Sequence, residues 1–417
     1  MSLDKPISAP EIIKASDHHI RPEYIDKDAI SVINQLNEAG FQALIVGGFV
    51  RDSILGLRPK DCDVVTNATP EEIKTVVKRT RIIGRRFKIV HARSGKKITE
   101  ISTFRSSSQK NIKKSQKGIL LRDNNYGNIE DDAFRRDFTI NSLYLDITKM
   151  EVIDFVGGFK DLQNKLLRSI GQSHERLRED PVRILRAIRF KAKLNLSLEQ
   201  KLEKDITKLC YLLKEISPGR KYEETLKMFL TGNAHSILLE MQSYKITEHL
   251  LPLTKDFLGS KKDRRFIFNA LKNTDKRFQQ NKTLTPAFLF SVLLWPALIN
   301  KSGEMNSKKV KIHRVSRNAN LILKRHNEHC FIPNRIQQSI KETWEMQIVL
   351  LRFPEKYKIA LKRARFRAAY DFLLLREKSG ENLGGAGAWW TKKILNYMRL
   401  IFVKLINFFL LQLRYIF

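Results

Sequence analysis

The sequence predicts an α/β head built on a mixed sheet with helices, followed by an all-α neck and body. Three observations carry this. Up to about residue 150, short apolar runs alternate with amphipathic stretches. From about residue 161 the strand-like runs largely vanish and a helical repeat takes over. The chain has 417 residues, of which 42% are hydrophobic and 29% charged, so it can build two or three packed domains and is neither disordered nor collagen-like.

Residues 1–28 are polar and irregular, an expected lead-in. In residues 28–40, Ile30, Val32, Ile33, Leu36 and Ala39 fall at helical spacing, and Gly40 closes the helix. FQALIVGG then reads as a buried strand entering a glycine turn, and FVRDSILGL as a short helix. DCDVVTNA is a second strand. TPEEIKTVVKRT has Thr69 as N-cap, Pro70 at the first helical position and Glu72 three residues after the cap. RRFKIVHAR and KKITEISTFR are two more strands. SSSQKNIKKSQKG, residues 106–118, is patternless and predicts a mobile loop. Amphipathic helices follow from DPVRILRAIRFKAK to about residue 378. The expected organisation is a lead-in (1–28), a head (29–160), a helical neck (161–255), a helical body (256–380) and an apolar tail (381–417).

Charge narrows the function. Lys and Arg number 77 and Asp and Glu 44, a formal net charge of +33. Such a chain is expected to meet a polyanion, either nucleic acid or an acidic membrane surface. Cys62, Cys210 and Cys330 are far apart and odd in number, which speaks against a disulfide scaffold and suits a reducing cytoplasm. The start lacks an apolar run after its basic residue, so no secretory signal is expected. In the tail, residues 394–417 are strongly apolar but carry Arg399, Lys404, Asn407, Gln412 and Arg414. That mixture predicts an amphipathic helix, docked on the body or lying on a membrane, rather than a span.

The chemistry concentrates in four places. Asp61 and Asp63 on a strand would point to one side, where two carboxylates can hold hard cations such as Mg²⁺. Gly47 and Gly48 let the backbone approach a phosphate, with Arg51 one turn on; the same residues also suit a plain strand-to-helix turn. Asp52 is expected in a salt bridge, and Glu100 either beside the acidic pair or facing solvent. In EDDAFRRDFTINSLYLD, Ile140, Leu143 and Tyr144 suggest the core face of a helix, with Asp137 and Asn141 as i,i+4 neighbours and Arg136 beside them. In RLREDPVRILRAIRF, Pro181 can start a helix, and Asp180, Arg183 and Arg186 fall near one face. A carboxylate beside a guanidinium can match a base edge.

GGFVRD, DCD, EDDAFRRDFTINSL and REDPVRILRAIRF, in this order and spacing, resemble the class II nucleotidyltransferases, the family of the tRNA CCA-adding enzymes and the bacterial poly(A) polymerases. The resemblance is strong over residues 42–230. GRRFKIVH, GILLRDNNYGNIEDDAFRRDFTINSLY, LKNTDKRF…TPAFLFSVLLW and RFRAAYDFLLLR are more similar to the poly(A) polymerase branch. The resemblance implies that Asp61 and Asp63 bind Mg²⁺, with Asp137 the further acidic residue of the active site. It implies that Gly47, Gly48 and Arg51 hold the triphosphate, and that Arg136, Asn141, Asp180, Arg183 and Arg186 contact the nucleotide. The implied activity is untemplated addition of adenylate from ATP to RNA 3′ ends, marking RNA for decay, by a cytoplasmic monomer that meets RNA-decay proteins. CCA addition to tRNA and a non-catalytic RNA-binding role are the competing readings. Beyond Gly380 the family's basic tail is not matched. The basic stretch SKKVKIHRVSRNANLILKRH and Lys356, Lys358, Lys362, Arg363, Arg365 and Arg367 suit RNA phosphates. His326, His329 and Cys330 lack a well-spaced fourth ligand for zinc.

Overall fold

The computed structural model describes residues 9–84, 88–106, 113–114, 120–122, 125–303, 311–354 and 357–399. It divides into two compact units, Met1–Leu212 and Leu213–Phe417, and the division falls inside the stretch read as neck.

The first unit is built on a mixed sheet that, among the described residues, has eight strands. In chain order the strands are β1 (Glu11–Ile13), β2 (Ala43–Val46), β3 (Val64–Thr66), β4 (Thr80–Ile83), β5 (Ile89–Ser94), β6 (Lys97–Thr103), β7 (Lys113–Lys114), β8 (Leu120–Arg122), β9 (Leu143–Asp146) and β10 (Glu151–Asp154). The sheet runs β1-β10-β9-β2-β3-β6-β5-β4, while β7 and β8 pair separately. β3 and β6 are parallel and the other neighbours antiparallel. β2 is buried along its whole length, as its unbroken apolar run requires.

Helices α1 (Lys27–Glu38), α2 (Gly48–Ile54) and α3 (Pro70–Val76) alternate with these strands. α1 is capped by Asp26 and buries Ala29, Val32, Ile33 and Leu36. Thr69 and Glu72 form the expected capping box on α3. α4 (Ile129–Arg135), α5 (Gly158–Gln163), α6 (Ser173–Glu179), α7 (Val182–Leu194) and α8 (Gln200–Leu209) complete the unit. Gly158 at the start of α5 admits no side chain: a Cβ there would come within 2.2 Å of the Thr139 carbonyl oxygen.

Four expectations are corrected. The lead-in is ordered over residues 11–13, which form the sheet edge, and His18 Nε2 lies 3.0 Å from the Met150 carbonyl oxygen. β4, Thr80–Ile83, begins at the last residue of the TPEEIKTVVKRT helix pattern and was not read as a strand. The apolar spacing of Ile140, Leu143 and Tyr144 is not one helix. α4 ends at Arg135, a single 3₁₀ turn spans Thr139–Asn141, and β9 begins at Leu143. Within the stretch read as a mobile loop, Lys113–Lys114 pairs with Leu120–Arg122; residues 107–112 and 115–118 lie outside the described residues.

The second unit is helical: α9 (Pro218–Phe229), α10 (Ala234–Ser243), α11 (Thr247–Leu250), α12 (Pro252–Lys255), α13 (Lys261–Gln279), α14 (Pro286–Leu293), α15 (Trp295–Ser302), α16 (Ile312–Asn327), α17 (Asn334–Leu351), α18 (Tyr357–Leu361) and α19 (Phe366–Lys378). Residues 386–399 form a further helix. Arg376 is fully buried, bound to Glu381 at 2.7 Å and Gln347 Oε1 at 3.1 Å, and stacks over Trp295 at 4.8 Å. The glycine break at 384–390 is a turn at Gly384–Gly385, after which the tail docks on the body. Leu383, Ala386 and Trp390 are buried against Leu350, Phe366 and Leu373, and Trp390 Nε1 donates to the Leu350 carbonyl. His326 is buried against Phe290, and burial lowers its imidazole to about 3. Cys330 is buried too, its thiol pushed up to about 12. Among the described residues no group of three or more His, Cys, Asp or Glu could hold a metal.

Trp390→Ala removes a fully buried ring and a hydrogen-bond donor. It is expected to destabilise the second unit by about 3–5 kcal/mol, measured by denaturant unfolding. A change under about 1 kcal/mol would show that the tail root does not belong to this core.

Candidate active site

The site grows from the end of β2. Val46 N donates to the Asp63 carbonyl at 3.0 Å, which extends the pairing of β2 with β3 by one residue. Asp61 and Asp63 therefore stand on the lead-in to β3, not within it, and both are exposed. In the parallel register Val64 lies opposite Ile101, so Glu100 of β6 is level with Asp63. The protein packed around Asp63 and the carboxylates of Glu100 and Asp61 push its carboxyl up to about 6, against the pull of Arg136. Asp61 and Asp63 are the two carboxylates that could share a divalent cation, and among the described residues they form no group of three or more acidic, His or Cys side chains placed to hold one.

Immediately after β2, Gly47 turns the chain with φ 73°, a left-handed conformation that favours glycine. Its N–H donates to the Leu143 carbonyl. A Cβ on Gly47 would lie 3.6 Å from the Asn141 carbonyl oxygen and 3.7 Å from Arg136 Nη1. Gly48 begins α2, with the Arg51 guanidinium 3.7 Å from the position of its Cβ.

Arg51 is buried and fully engaged. It grips Asp52 at 2.5 Å, donates from Nη1 to Asn141 Oδ1 at 2.5 Å, and stacks over Phe190 at 4.9 Å. Asn141 Nδ2 then donates to Asp137 Oδ1 at 3.1 Å, and Arg186 Nε donates to Asp137 Oδ2 at 2.5 Å. Burial alone would raise the Asp137 pKa, but Arg186, Asn141 and Arg183 hold it well below the usual carboxylate range. The Asp137–Asn141 contact foreseen in the sequence exists, made across a 3₁₀ turn. Asp137 itself is committed to Arg186 and Asn141. The carboxylate level with the Asp61–Asp63 pair is Glu100.

Arg136 donates to Asp132 at 2.8 Å and to the Tyr144 hydroxyl at 3.1 Å, lies over the Tyr144 ring at 5.3 Å, and Tyr144 donates to Asp132 at 2.8 Å. Burial would lower the Arg136 pKa; Asp132 and Tyr144 reverse this and raise it. At the start of α7, Asp180 Oδ1 accepts from Val182 N, while the Arg183 guanidinium turns to the Arg176 carbonyl at 2.6 Å and to Glu179 at 3.4 Å. Arg176 binds Glu179 at 2.9 Å and the carbonyls of Arg135 and Arg136 at 2.5 and 2.6 Å. Burial, with neighbouring Arg105, Arg176 and Arg183, lowers Arg135 to about 10; burial and Arg183 do the same to Arg176. Arg105, Arg176 and Arg183 thus all lie within electrostatic reach of Arg135, with Glu179 countering Arg135 and Arg176. Such a concentration of positive charge favours a polyphosphate.

The site residues thus form two groups on either side of the Gly47 turn. One holds Asp63, close enough to Asp61, Glu100 and Arg136 to feel their charges. The other holds Arg51, Asn141, Asp137, Arg183 and Arg186. Sequence reasoning passed over Asp132, Arg176 and Glu179, and took Tyr144 only as a core residue. Asp132 stands four residues before Arg136 on a helix, a spacing that could have flagged the ion pair. Tyr144 and Arg176 gave no local signal.

Solved structures of the same fold include the Bacillus stearothermophilus CCA-adding enzyme bound to CTP, with a TM-score of 0.57, 22% identity, and coverage of 90% of this chain and 83% of that one. The fold shared with it is an α/β head followed by a helical body. Family models match as Poly A polymerase head domain over residues 43–168, as probable RNA and SrmB-binding site of polymerase A over 195–258, and as polymerase A arginine-rich C-terminus over 308–396. Poly(A) polymerase I of Salmonella typhimurium is 38% identical over 396 residues, 91% of this chain and 85% of its own length. That of Haemophilus influenzae is 37% identical, covering 91% and 87%. The CCA-adding enzyme of Enterococcus faecalis matches only 50% of each chain. The chain belongs to the bacterial poly(A) polymerase family, and polyadenylation is its activity.

Arg186→Met would strip Asp137 of its main counter-charge. The expected loss is about 2 kcal/mol, below the figure for a fully buried pair because the Arg186 side chain is 33% exposed. Asp137 has a depressed pKa, so it stabilises the fold at neutral pH, and that contribution disappears on acidification. The stability gap between the wild type and Asp137→Asn should therefore close as pH falls below about 4. A gap that widens in acid would contradict the pairing.

Proposed function

We propose that this chain extends RNA 3′ ends with adenylate from ATP, without a template, through the residues gathered around the Gly47 turn. The observation that carries this is the pairing of Asp61 and Asp63 at the end of the β2–β3 ladder, beside the Arg136 anchor, in a chain of this family. Asp61 and Asp63 would hold divalent cations, taken as Mg²⁺, which supply activation of the hydroxyl and neutralisation of phosphate charge. Gly47 and Gly48 leave room for the triphosphate. Arg136, fixed by Asp132 and Tyr144, lends positive charge on one side of that turn. Arg51 orients Asn141 and through it Asp137, so its part is positioning more than direct phosphate contact. Arg183 and Arg186, with Asp180 at the start of α7, offer donors and an acceptor to the nucleotide base. The RNA 3′-hydroxyl releases its proton to solvent as its oxygen bonds to the α-phosphorus of ATP, the bond from that phosphorus to the oxygen bridging to the β-phosphate breaks, and pyrophosphate leaves.

Asp137 was the further acidic residue implied by family resemblance. Its ion pair with Arg186 favours a positioning role, and Glu100 is the better candidate beside the acidic pair. RNA would be held by phosphate contacts. Arg314, Arg317, Lys324 and Arg325 on α16, and Lys358, Lys362, Arg363, Arg365 and Arg367, are exposed cations in the second unit. The reaction would run in the cytoplasm, by a monomer that hands RNA to decay proteins; Cys62, Cys210 and Cys330 as thiols, forming no disulfide, suit a reducing compartment.

Asp61→Ala should abolish adenylate transfer in a primer-extension assay while RNA binding by gel shift stays near the wild-type level. Undiminished transfer would refute the assignment. Extension of a long unstructured RNA should fall by about tenfold or more between about 50 and 200 mM salt. A flat response would remove the phosphate tether.

A further inference from the structure

Phe190 lies on α7 and is only 5% exposed, yet three guanidinium groups gather on its ring. The Arg51 Cζ is 4.9 Å from the ring centroid, that of Arg189 5.1 Å and that of Arg186 5.5 Å. Arg186 reaches the ring because it stands one turn earlier on the same helix, and Arg189 is the preceding residue. Arg51 comes from α2, so two elements meet on one aromatic side chain. The Phe138 ring braces it edge-on, with centroids 6.0 Å apart and planes at 84°. Phe138 in turn follows Asp137, the carboxylate that binds Arg186.

Like charges repel, and these cations feel one another. Further along α7, burial lowers the Lys193 pKa, Asp52 opposes this, and Arg51 and Arg189 lower it again. An attraction must offset such crowding. The face of a phenylalanine ring carries negative potential and draws a cation within about 6 Å, more strongly where water is shut out. An aliphatic side chain could fill the same place but would supply none of that attraction. Hydrogen bonds fix single atoms of these groups: Arg186 Nε meets Asp137 Oδ2, and Arg51 Nη1 meets Asn141 Oδ1. The ring governs how the rest of each guanidinium lies, on both arms of the Asp137 network. The Arg186 side chain is 33% exposed and the Arg51 side chain 6%, so Arg186 is the one whose direction a ligand would feel. We propose that Phe190 is a positioning residue for the incoming nucleotide: its π face holds Arg51, Arg186 and Arg189 in one arrangement and so aims Arg186 at the substrate. This rests on the reading of Arg186 as a nucleotide contact.

The test places one, two and then three fluorines on the Phe190 ring of the full chain, by site-specific incorporation of fluorinated phenylalanines. Fluorine drains the π face while changing the volume of the ring little. The KM for ATP should rise with each fluorine, to about three- to tenfold at the third. The KM for an RNA primer and the Tm should stay at the wild-type values. A KM for ATP that is flat through the series would overturn the proposal. An equal rise in the KM for the primer, or a Tm that falls in step, would also overturn it, because the ring would then serve packing alone. Arg186→Met separates the proposal from the reading beneath it. If that variant raises the KM for ATP while the fluorinated proteins match the wild type, only the role of Phe190 fails. If it leaves the KM for ATP unchanged, Arg186 is no nucleotide contact and both fail.

Discussion

The ion pair between Asp137 and Arg186 is the constraint on which the nucleotide site depends. Asp137 follows α4, and Arg186 lies one turn into α7, so the pair closes a loop of nearly fifty residues within the first unit. Backbone pairing supports it: Thr139 N donates to the Arg168 carbonyl and Ile170 N to that of Asp137. From Asp137 the hydrogen bonds run on through Asn141 and Arg51 to Asp52, which Lys193 approaches at 3.5 Å. The amide of Asn141 is thereby oriented at both ends. A charged group this enclosed is expensive to leave unpaired, so the chain of contacts holds or fails as a unit.

The same logic distributes charge across the site. Burial would discharge Arg136, yet Asp132 and Tyr144 keep it a cation beside the Gly47 turn. On the other side, Asp63 is crowded by Asp61 and Glu100 and gains no matching counter-ion of comparable effect. Fixed cations and under-compensated carboxylates on either side of one glycine turn suit a triphosphate with its divalent cations. Positions that hold still, such as Arg51, Asp132 and Tyr144, and positions left electrostatically unsatisfied, such as Asp63, divide the work between them.

What was legible in the sequence follows from the range of the forces involved. The capping box of Thr69 and Glu72 and the β2 run are local patterns that formed as read, while of the α1 stripe Val32, Ile33 and Leu36 are buried and Ala39 falls exposed beyond the helix end. The motifs were legible because glycine at a positive φ and paired carboxylates each need particular residue types at short spacing. Long-range constraint was not legible. β1 exists because β10 offers it an edge, a partner about 140 residues away. Ile140, Leu143 and Tyr144 mimic a helix because a 3₁₀ turn running into a strand places apolar residues at similar intervals. Arg176 holds carbonyls some forty residues distant, and nothing near it announces this. In the tail, Trp389 and Trp390 looked like part of a glycine break, whereas packing against Phe353 and Phe366 makes them its anchor.

Nucleotide choice is made by protein side chains without a template, and this is the property to measure first. Purified protein with Mg²⁺ would be offered ATP alone or CTP alone, on an unstructured RNA and on a tRNA lacking its CCA end. A long ladder with ATP on the unstructured RNA, and little extension with CTP, is the predicted result. Two cytidines and one adenosine added only to the tRNA would contradict it.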